Sequence, residues 1–174
     1  LSHLFEWQTD SSSYMQMEAA KKMLEKRDTS KPFYLSMHVM DPHNYLECFS
    51  YDIQDEKLIA EEMKMLDEYL DSLGTDFIGN ILYFMSLRYF DYYLEKFCND
   101  LKEKGLWENT ALLIVADHGS SYSFHPLHGA RVNCFDDECY HIPMTMRVPG
   151  IKPLEINHYC NSRDVLPTYL DVLG

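Results

Sequence analysis

The sequence predicts an α/β fold in which a layered sheet is flanked by helices. Residues 110–116 form an apolar run rich in leucine, isoleucine and valine, which is typical of a strand buried on both faces of a parallel sheet. Residues 33–39 alternate between apolar and polar side chains, which indicates a second strand. With 174 residues, 46% of them apolar, the chain can bury a core, and we expect residues 1–174 to form a single domain.

Four helices are predicted along the chain. Residues 13–27 are strong helix formers behind a serine-rich cap, and residues 55–73 repeat apolar side chains at helical spacing. The acids of the second helix mostly fall off its apolar stripe, so a solvated face explains them better than a metal cluster does. After Gly74 a third helix continues to Lys104, and its apolar stripe should lie against the sheet. Residues 163–173 close the chain as a short helix.

A third strand is predicted at residues 142–148, where apolar and polar side chains again alternate. Pro143 favours the start or an edge of this strand, because proline cannot donate a hydrogen bond to a strand ladder.

No stretch of the chain approaches the ~20 apolar residues that a membrane-spanning helix needs. The five cysteines are odd in number and contain no CxxC pair, so they indicate neither a disulfide framework nor a zinc site. The sequence does not determine the cellular compartment.

The tripeptide Asp117-His118-Gly119 follows the strand predicted at 110–116. Ligands in open α/β sheets bind beyond the carboxyl ends of the strands, so Asp117 and His118 are candidate metal ligands, one through oxygen and one through nitrogen. Gly119 allows a sharp turn and the close approach of a ligand. The alternative is a polar turn with a capping aspartate.

The segment from Asp117 to Arg131 concentrates His118, His125 and His128 with one arginine, although the whole chain has a net charge of -13. A local positive pocket suits an anionic substrate, whereas the overall charge argues against nucleic acid or an anionic membrane as a partner. The alternative is a long surface loop whose histidines are solvated.

Several blocks, taken in order, resemble the C-terminal half of the catalytic domain of the sulfatase/alkaline-phosphatase superfamily. The blocks are Lys31-Pro32-Phe33-Tyr34-Leu35, Asp41-Pro42-His43, Tyr89-Phe90-Asp91, Glu108-Asn109-Thr110, Asp117-His118-Gly119, Ile142-Pro143-Met144, Val148-Pro149-Gly150 and Ser162-Arg163-Asp164-Val165-Leu166-Pro167-Thr168. The resemblance implies an alkaline-phosphatase-like fold, incomplete here, and a metal-dependent hydrolase of sulfate or phosphate esters. Its substrate would be an anionic small-molecule or glycan ester.

The resemblance also implies a divalent metal ion bound by Asp117 and His118. His118 replaces the asparagine that many arylsulfatases carry at this position. Imidazole is a poor ligand for calcium and a better one for manganese or zinc, so calcium is the weakest of the three assignments. Two ligands form only part of a coordination shell, and we therefore expect this chain alone to bind metal weakly.

Four further residues have roles implied by the resemblance. His43 matches a histidine that contacts the transferred group and could stabilise the anion or act as an acid, although a solvated histidine is the alternative. His125 corresponds to a catalytic histidine near the substrate, and His128 competes with it as a substrate ligand. Arg131 lies one position away from the place where sulfatases carry a lysine that binds the anionic substrate. We expect His43, His125 and Arg131 to converge on Asp117 and His118.

The nucleophile of the superfamily and its first metal-binding aspartate lie upstream of the matched half, and nothing here resembles them. Cys48 lacks the proline and arginine that follow a sulfatase nucleophile. We therefore expect a fragment that lacks the N-terminal nucleophile region and is inactive alone. Two alternatives to the hydrolase stay open: a phosphoethanolamine- or phosphoglycerol-type transferase of the same superfamily, and a non-catalytic domain that retains the fold.

Overall fold

Helices make up most of the chain that the structure, a computed structural model, describes: residues 12–43, 56–73, 78–119 and 137–174. In chain order the elements are α1 (Ser13–Lys26), α2 (Glu56–Leu73), α3 (Ile78–Glu103), a 3-10 turn (Trp107–Asn109), β1 (Leu112–Val115), α4 (Asp137–Tyr140), β2 (Met144–Arg147) and α5 (Ser162–Leu173). They fall into two compact units, divided between Lys104 and Gly105. Within the described ranges, no helix is long and apolar enough to cross a bilayer.

The first unit has a helical core built on α3. One face of α3 is buried and repeats every four residues, so that its side chains stand above one another: Ile81, Met85, Tyr89, Tyr93, Phe97 and Leu101. The rings of Tyr89 and Tyr93 pack edge to face with their centroids 4.8 Å apart. The prediction that α3 lies against a sheet is wrong for this unit, because α3 packs against α1 and α2.

Helix α1 contributes the facing layer of this core. The Ser12 side chain accepts a hydrogen bond from the backbone nitrogen of Met15 (3.3 Å), which caps the helix and confirms the start expected from the serine-rich cap. Met17, Ala20 and Leu24 are 1–2% exposed and recur at helical spacing. Their burial against α3 is the main stabilisation that this unit derives from α1.

Helix α2 forms where its periodicity predicts it, but one of its acids is not solvated. Glu62 is 1% exposed and accepts a hydrogen bond from Nε of Arg88 on α3 (3.0 Å). The interpretation of the acids of α2 as a solvated face is therefore wrong for Glu62. The paired arginine explains the burial, because a carboxylate is rarely buried without such a partner.

The strand predicted at residues 33–39 is not formed. Leu35, Met37 and Val39 are half-buried while Ser36 and His38 are exposed, so the alternation of the sequence persists in the burial of the side chains. A strand also needs a hydrogen-bonded neighbour, and the described parts of the chain supply none here. The sequence pattern predicted which side chains are more buried, but strand pairing does not follow from it.

The second unit contains the two strands that are formed. β1 pairs antiparallel with β2, with Leu112 opposite Arg147 and Val115 opposite Met144. Two-stranded pairing leaves β1 partly open to solvent, and Val115 is 40% exposed. The prediction of a strand buried on both faces in a parallel sheet is thus wrong for the described residues. They contain one small antiparallel sheet instead of the layered sheet flanked by helices that the sequence predicts.

Helix α5 ends the second unit with the boundaries that the sequence predicts to within one residue. Asn161 caps it: its side-chain oxygen accepts from the backbone nitrogen of Arg163, and the Asp164 carboxylate accepts from the backbone nitrogen of Asn161, both at 2.8 Å. This reciprocal pair is a capping box, which fixes where the helix begins.

Candidate functional site

The candidate metal ligands stand directly beyond the end of β1. The backbone nitrogen of Ala116 still donates to the carbonyl of Pro143 (3.3 Å), and the chain then bends at Asp117. The nitrogen of Gly119 donates to the carbonyl of Cys139 in α4 (2.9 Å), which holds the far side of the bend. The tripeptide is therefore anchored on both sides, while the side chains of Asp117 and His118 are 80% and 54% exposed.

The imidazole of His118 is oriented by its own loop. Its Nδ1 donates to the carbonyl oxygen of Gly119 (2.7 Å), because a carbonyl can only accept. In the neutral ring the lone pair then lies on Nε2. In metal-binding histidines the second ring nitrogen commonly donates to a carboxylate, a backbone carbonyl or water, which fixes both the tautomer and the ring orientation.

The Asp117 carboxylate lies near Nε2 of His118. Its Oδ1 accepts a hydrogen bond from the backbone nitrogen of His118 (2.9 Å) and is 3.9 Å from Nε2 of the same residue. Two ligands of a tetrahedral ion with bonds of about 2.1 Å are separated by about 3.4 Å. A small side-chain rotation would therefore let the two residues bind one ion.

Asp117 and His118 could form only part of a ligand set. In the portions of the chain that the structure describes, no group of three or more histidine, cysteine, aspartate or glutamate side chains is arranged to hold a metal ion. Asp117 and His118 fit a divalent ion in donor type, and they could supply two of the four or more ligands that such an ion takes.

His43 belongs to the first unit, where it ends a tight turn. Its backbone nitrogen donates to the carbonyl of Met40 (2.9 Å), with Asp41 and Pro42 between them. The side chain of His43 is half-buried, and that of Asp41 is 4% exposed. The turn is fixed by proline and by this hydrogen bond, so the backbone position of His43 is well defined.

The other predicted site residues, His125, His128 and Arg131, lie outside the residues that the structure describes. The structure brings Asp117 and His118 together, as their adjacency in sequence predicts. The expected convergence of His43, His125 and Arg131 on this pair stays a prediction.

The sequence did not identify Arg147 as a residue that stabilises the strand pair. Its guanidinium lies over the Trp107 ring, 4.1 Å from the centroid, and Nη1 donates to the carbonyls of Trp107 (2.9 Å) and Thr110 (2.7 Å). These contacts connect β2 to the residues that enter β1. The available signal was an arginine that alternates with apolar residues in a predicted strand. This signal does not indicate that the arginine contacts Trp107.

Comparison with known proteins identifies a family for this chain and several distant relatives. The family model described as Sulfatase matches residues 5–174. The chain is 27% identical over 151 residues to lipoteichoic acid synthase 1 of Bacillus subtilis, covering 83% of this chain and 21% of that protein. It is 27% identical over 174 residues to an arylsulfatase of Clostridium perfringens, covering 85% and 35%. It is also 27% identical over 157 residues to an endo-4-O-sulfatase of Bacteroides thetaiotaomicron, covering 85% and 30%.

The chain thus spans between about a fifth and about a third of the length of these curated relatives. No solved structure gives a significant match. The relatives include both sulfatases and a synthase, so the comparisons determine the superfamily and leave the reaction and substrate to be argued from the residues.

Proposed function

Because this chain belongs to the sulfatase family, we propose that it supplies part of an active site that cleaves a sulfate or phosphate ester with a divalent metal ion. In this proposal it is a partial catalytic domain of alkaline-phosphatase-like fold. The observation that carries the proposal is the hydrogen bond from Nδ1 of His118 to the Gly119 carbonyl. That bond presents Nε2 next to the Asp117 carboxylate, as a metal-binding pair requires.

The donor set favours manganese or zinc over calcium. Calcium prefers six to eight oxygen ligands, whereas an imidazole nitrogen beside one carboxylate suits a transition metal. A bound divalent ion supplies positive charge where negative charge develops on a sulfuryl or phosphoryl group. The contribution of this chain is to hold one carboxylate and one oriented imidazole at the end of β1.

His43 is proposed to contact the anionic group that is transferred. Its backbone is fixed by the Met40–His43 turn, which suits a residue that must place one ring nitrogen against a substrate oxygen. We assign a catalytic role to His125 and substrate binding to His128 and Arg131 as well, on the family resemblance alone. Cationic and imidazole groups in an acidic chain would attract an anionic small-molecule or glycan ester.

Transfer to an acceptor other than water is the second candidate. It is favoured by the similarity to a lipoteichoic acid synthase, over 83% of this chain. In that case a phosphoethanolamine or phosphoglycerol group would pass to a lipid or glycan. The same Asp117–His118 pair would serve, because both reactions develop negative charge on the transferred group.

Metal binding tests the proposal. Calorimetric titration of the full chain with Mn²⁺, Zn²⁺ and Ca²⁺ should show weak binding, with calcium the weakest. Asp117→Asn and His118→Ala should each reduce the affinity for Mn²⁺ by about tenfold or more. His158→Ala, which removes an exposed histidine of the same unit, is the matched control and should bind as the wild type does. Equal affinity in all four proteins would contradict the proposal.

Ligand preference separates the two reactions. NMR signals of the His43 and His118 rings should be followed during titration with an aryl sulfate and with glycerol phosphate, each in the presence of Zn²⁺. Stronger binding of the aryl sulfate supports sulfate-ester hydrolysis. Stronger binding of glycerol phosphate supports phosphoglycerol-type transfer.

A further inference from the structure

A buried carboxylate lies two residues before His43. Asp41 is 4% exposed, and its Oδ2 accepts hydrogen bonds from the backbone nitrogen of Ser13 (2.7 Å) and from the Ser13 hydroxyl. Ser13 is itself fully buried. The two residues are 28 positions apart in the chain, so the contact joins two separate segments of the first unit.

The place where Asp41 docks accounts for the burial of its charge. Ser13 is the first residue of α1, and its backbone N–H has no carbonyl acceptor within the helix. The N-terminal end of a helix also carries partial positive charge, so a carboxylate is stabilised there. Asp41 meets both requirements of the helix end while occupying a turn outside the helix.

The same turn carries His43. The backbone nitrogen of His43 donates to the carbonyl of Met40. Pro42, which lies between Asp41 and His43, restricts the backbone of the turn because its ring fixes φ. Helix α1 is in turn packed into the core of the unit through Met17 and Leu24. An unbroken series of contacts therefore connects the backbone of His43 to the core through Asp41 and Ser13.

We propose that Asp41 is a positioning residue that holds His43 in place by docking its turn on the N-terminus of α1. The functional part of this inference rests on the proposed role of His43 as an anion contact. Asp41 itself does not touch the substrate in this account. It acts by removing backbone freedom from His43, and misplacement of a contacting group by about 1 Å is enough to weaken catalysis strongly.

A second aspartate–serine pair provides a matched control. Oδ1 of Asp28 accepts from the backbone nitrogen (3.0 Å) and the hydroxyl (2.6 Å) of Ser30, which is the same combination of donors. This pair is exposed, local in sequence and remote from α1's first turn. Ser30→Ala therefore removes an equivalent hydroxyl contact without touching the turn of His43.

Amide hydrogen exchange tests the docking. In Asp41→Asn and in Ser13→Ala, the amides of Ser13 and His43 should exchange about tenfold faster or more, as expected for the loss of a hydrogen bond to a charged group. Amides in the middle of α1 should be unchanged, and Ser30→Ala should have no effect at any of these positions. Unchanged exchange at His43 in both variants would overturn the proposal. Ser13→Ala retains the backbone donor, so it provides the test if Asp41→Asn fails to fold.

Titration with inorganic phosphate and inorganic sulfate tests the consequence for anion binding. The His43 ring should respond in the wild type and in Ser30→Ala, and the response should weaken in Asp41→Asn and Ser13→Ala, with the His38 ring as an internal reference. A wild-type response that survives both substitutions would overturn positioning by Asp41. If the wild-type ring does not respond at all, the anion role of His43 fails, and the exchange rates still decide whether Asp41 holds the turn.

Discussion

Glu62 and Arg88 join α2 to α3 through a hydrogen bond of 3.0 Å between Oε1 and Nε. The glutamate is 1% exposed and the arginine 50%, so one partner is desolvated and the other remains in contact with water. The second oxygen, Oε2 of Glu62, is buried and has no hydrogen-bond partner in the described part of the chain. The carboxylate therefore depends on Arg88 for compensation of its charge.

Arg88→Ala should lower the free energy of unfolding by about 1–3 kcal/mol, because it leaves a buried carboxylate unpaired. Glu62→Leu combined with Arg88→Leu should recover much of this loss, since neither charge then needs a partner. Urea denaturation monitored by circular dichroism measures both. Lys64→Ala, which breaks an exposed pair with Glu68, is the control and should change stability by less than about 0.5 kcal/mol. An equal effect of Arg88→Ala and Lys64→Ala would contradict the conclusion that Arg88 compensates the charge of a buried carboxylate.

The packing of α1 on α3 gives a second prediction. Leu24 and Leu101 are 2% and 1% exposed. Replacing either by alanine should destabilise the first unit by about 2–5 kcal/mol through lost burial and the cavity that remains. Leu170→Ala, at a position that is 57% exposed on α5, should cost less than about 0.5 kcal/mol. Denaturant midpoints of the three variants test the assignment of the core, which would be wrong if Leu24→Ala matched Leu170→Ala.

Arg147 should not be replaceable by lysine. Its planar guanidinium stacks on Trp107 and donates to two carbonyls, whereas an ammonium group cannot do both in the same geometry. We expect Arg147→Lys to destabilise the second unit by about 1–2 kcal/mol. Fluorescence of Trp107 during thermal unfolding, in a Trp7→Phe background, measures the loss of stability. Lys152→Ala, at an exposed position, is the control. A wild-type transition in Arg147→Lys would show that the guanidinium is not needed for stability.

The Asp28 carboxyl provides a prediction on pH. The hydrogen bond from the Ser30 hydroxyl, followed by that from the Ser30 backbone nitrogen and by Lys31, holds the pKa of Asp28 below its usual value of 3.8. A carboxyl whose pKa is lower when folded adds stability above its unfolded pKa, and this is lost as the pH falls through the folded pKa. NMR titration should place its midpoint below 3.8, and Ser30→Ala should raise it. A midpoint that does not move in Ser30→Ala would contradict the assignment.

Local features of this fold were predictable from the sequence, and pairing between distant segments was not. The bounds of α1, α2 and α5 agree with prediction to within one residue, because helical periodicity and capping act over a few neighbours. Residues 33–39 show the alternation of a strand, but the described parts of the chain provide no second strand that pairs with them. The antiparallel pairing of β1 with β2 joins residues 29 to 35 positions apart, which no local pattern specifies.

The candidate site divides in the same way. Asp117 and His118 are adjacent in sequence, so their proximity was predictable, but the orienting hydrogen bond to Gly119 became visible only with backbone geometry. Asp41 could not be identified as a buried residue, because its partner Ser13 is remote in sequence and the sequence pattern at Asp41-Pro42 is that of an ordinary turn.

Paramagnetic broadening by Mn²⁺ tests the central claim, that Asp117 and His118 bind the metal, most directly. In ¹H–¹⁵N NMR spectra of the full chain, substoichiometric Mn²⁺ should broaden the amide signals of residues 117–119 before any others. In Asp117→Ala and in His118→Ala, the signals of residues 117–119 should no longer broaden first, whereas in His158→Ala they should still do so. Broadening that begins on the acidic face of α2, or that is the same in all four proteins, would contradict the account.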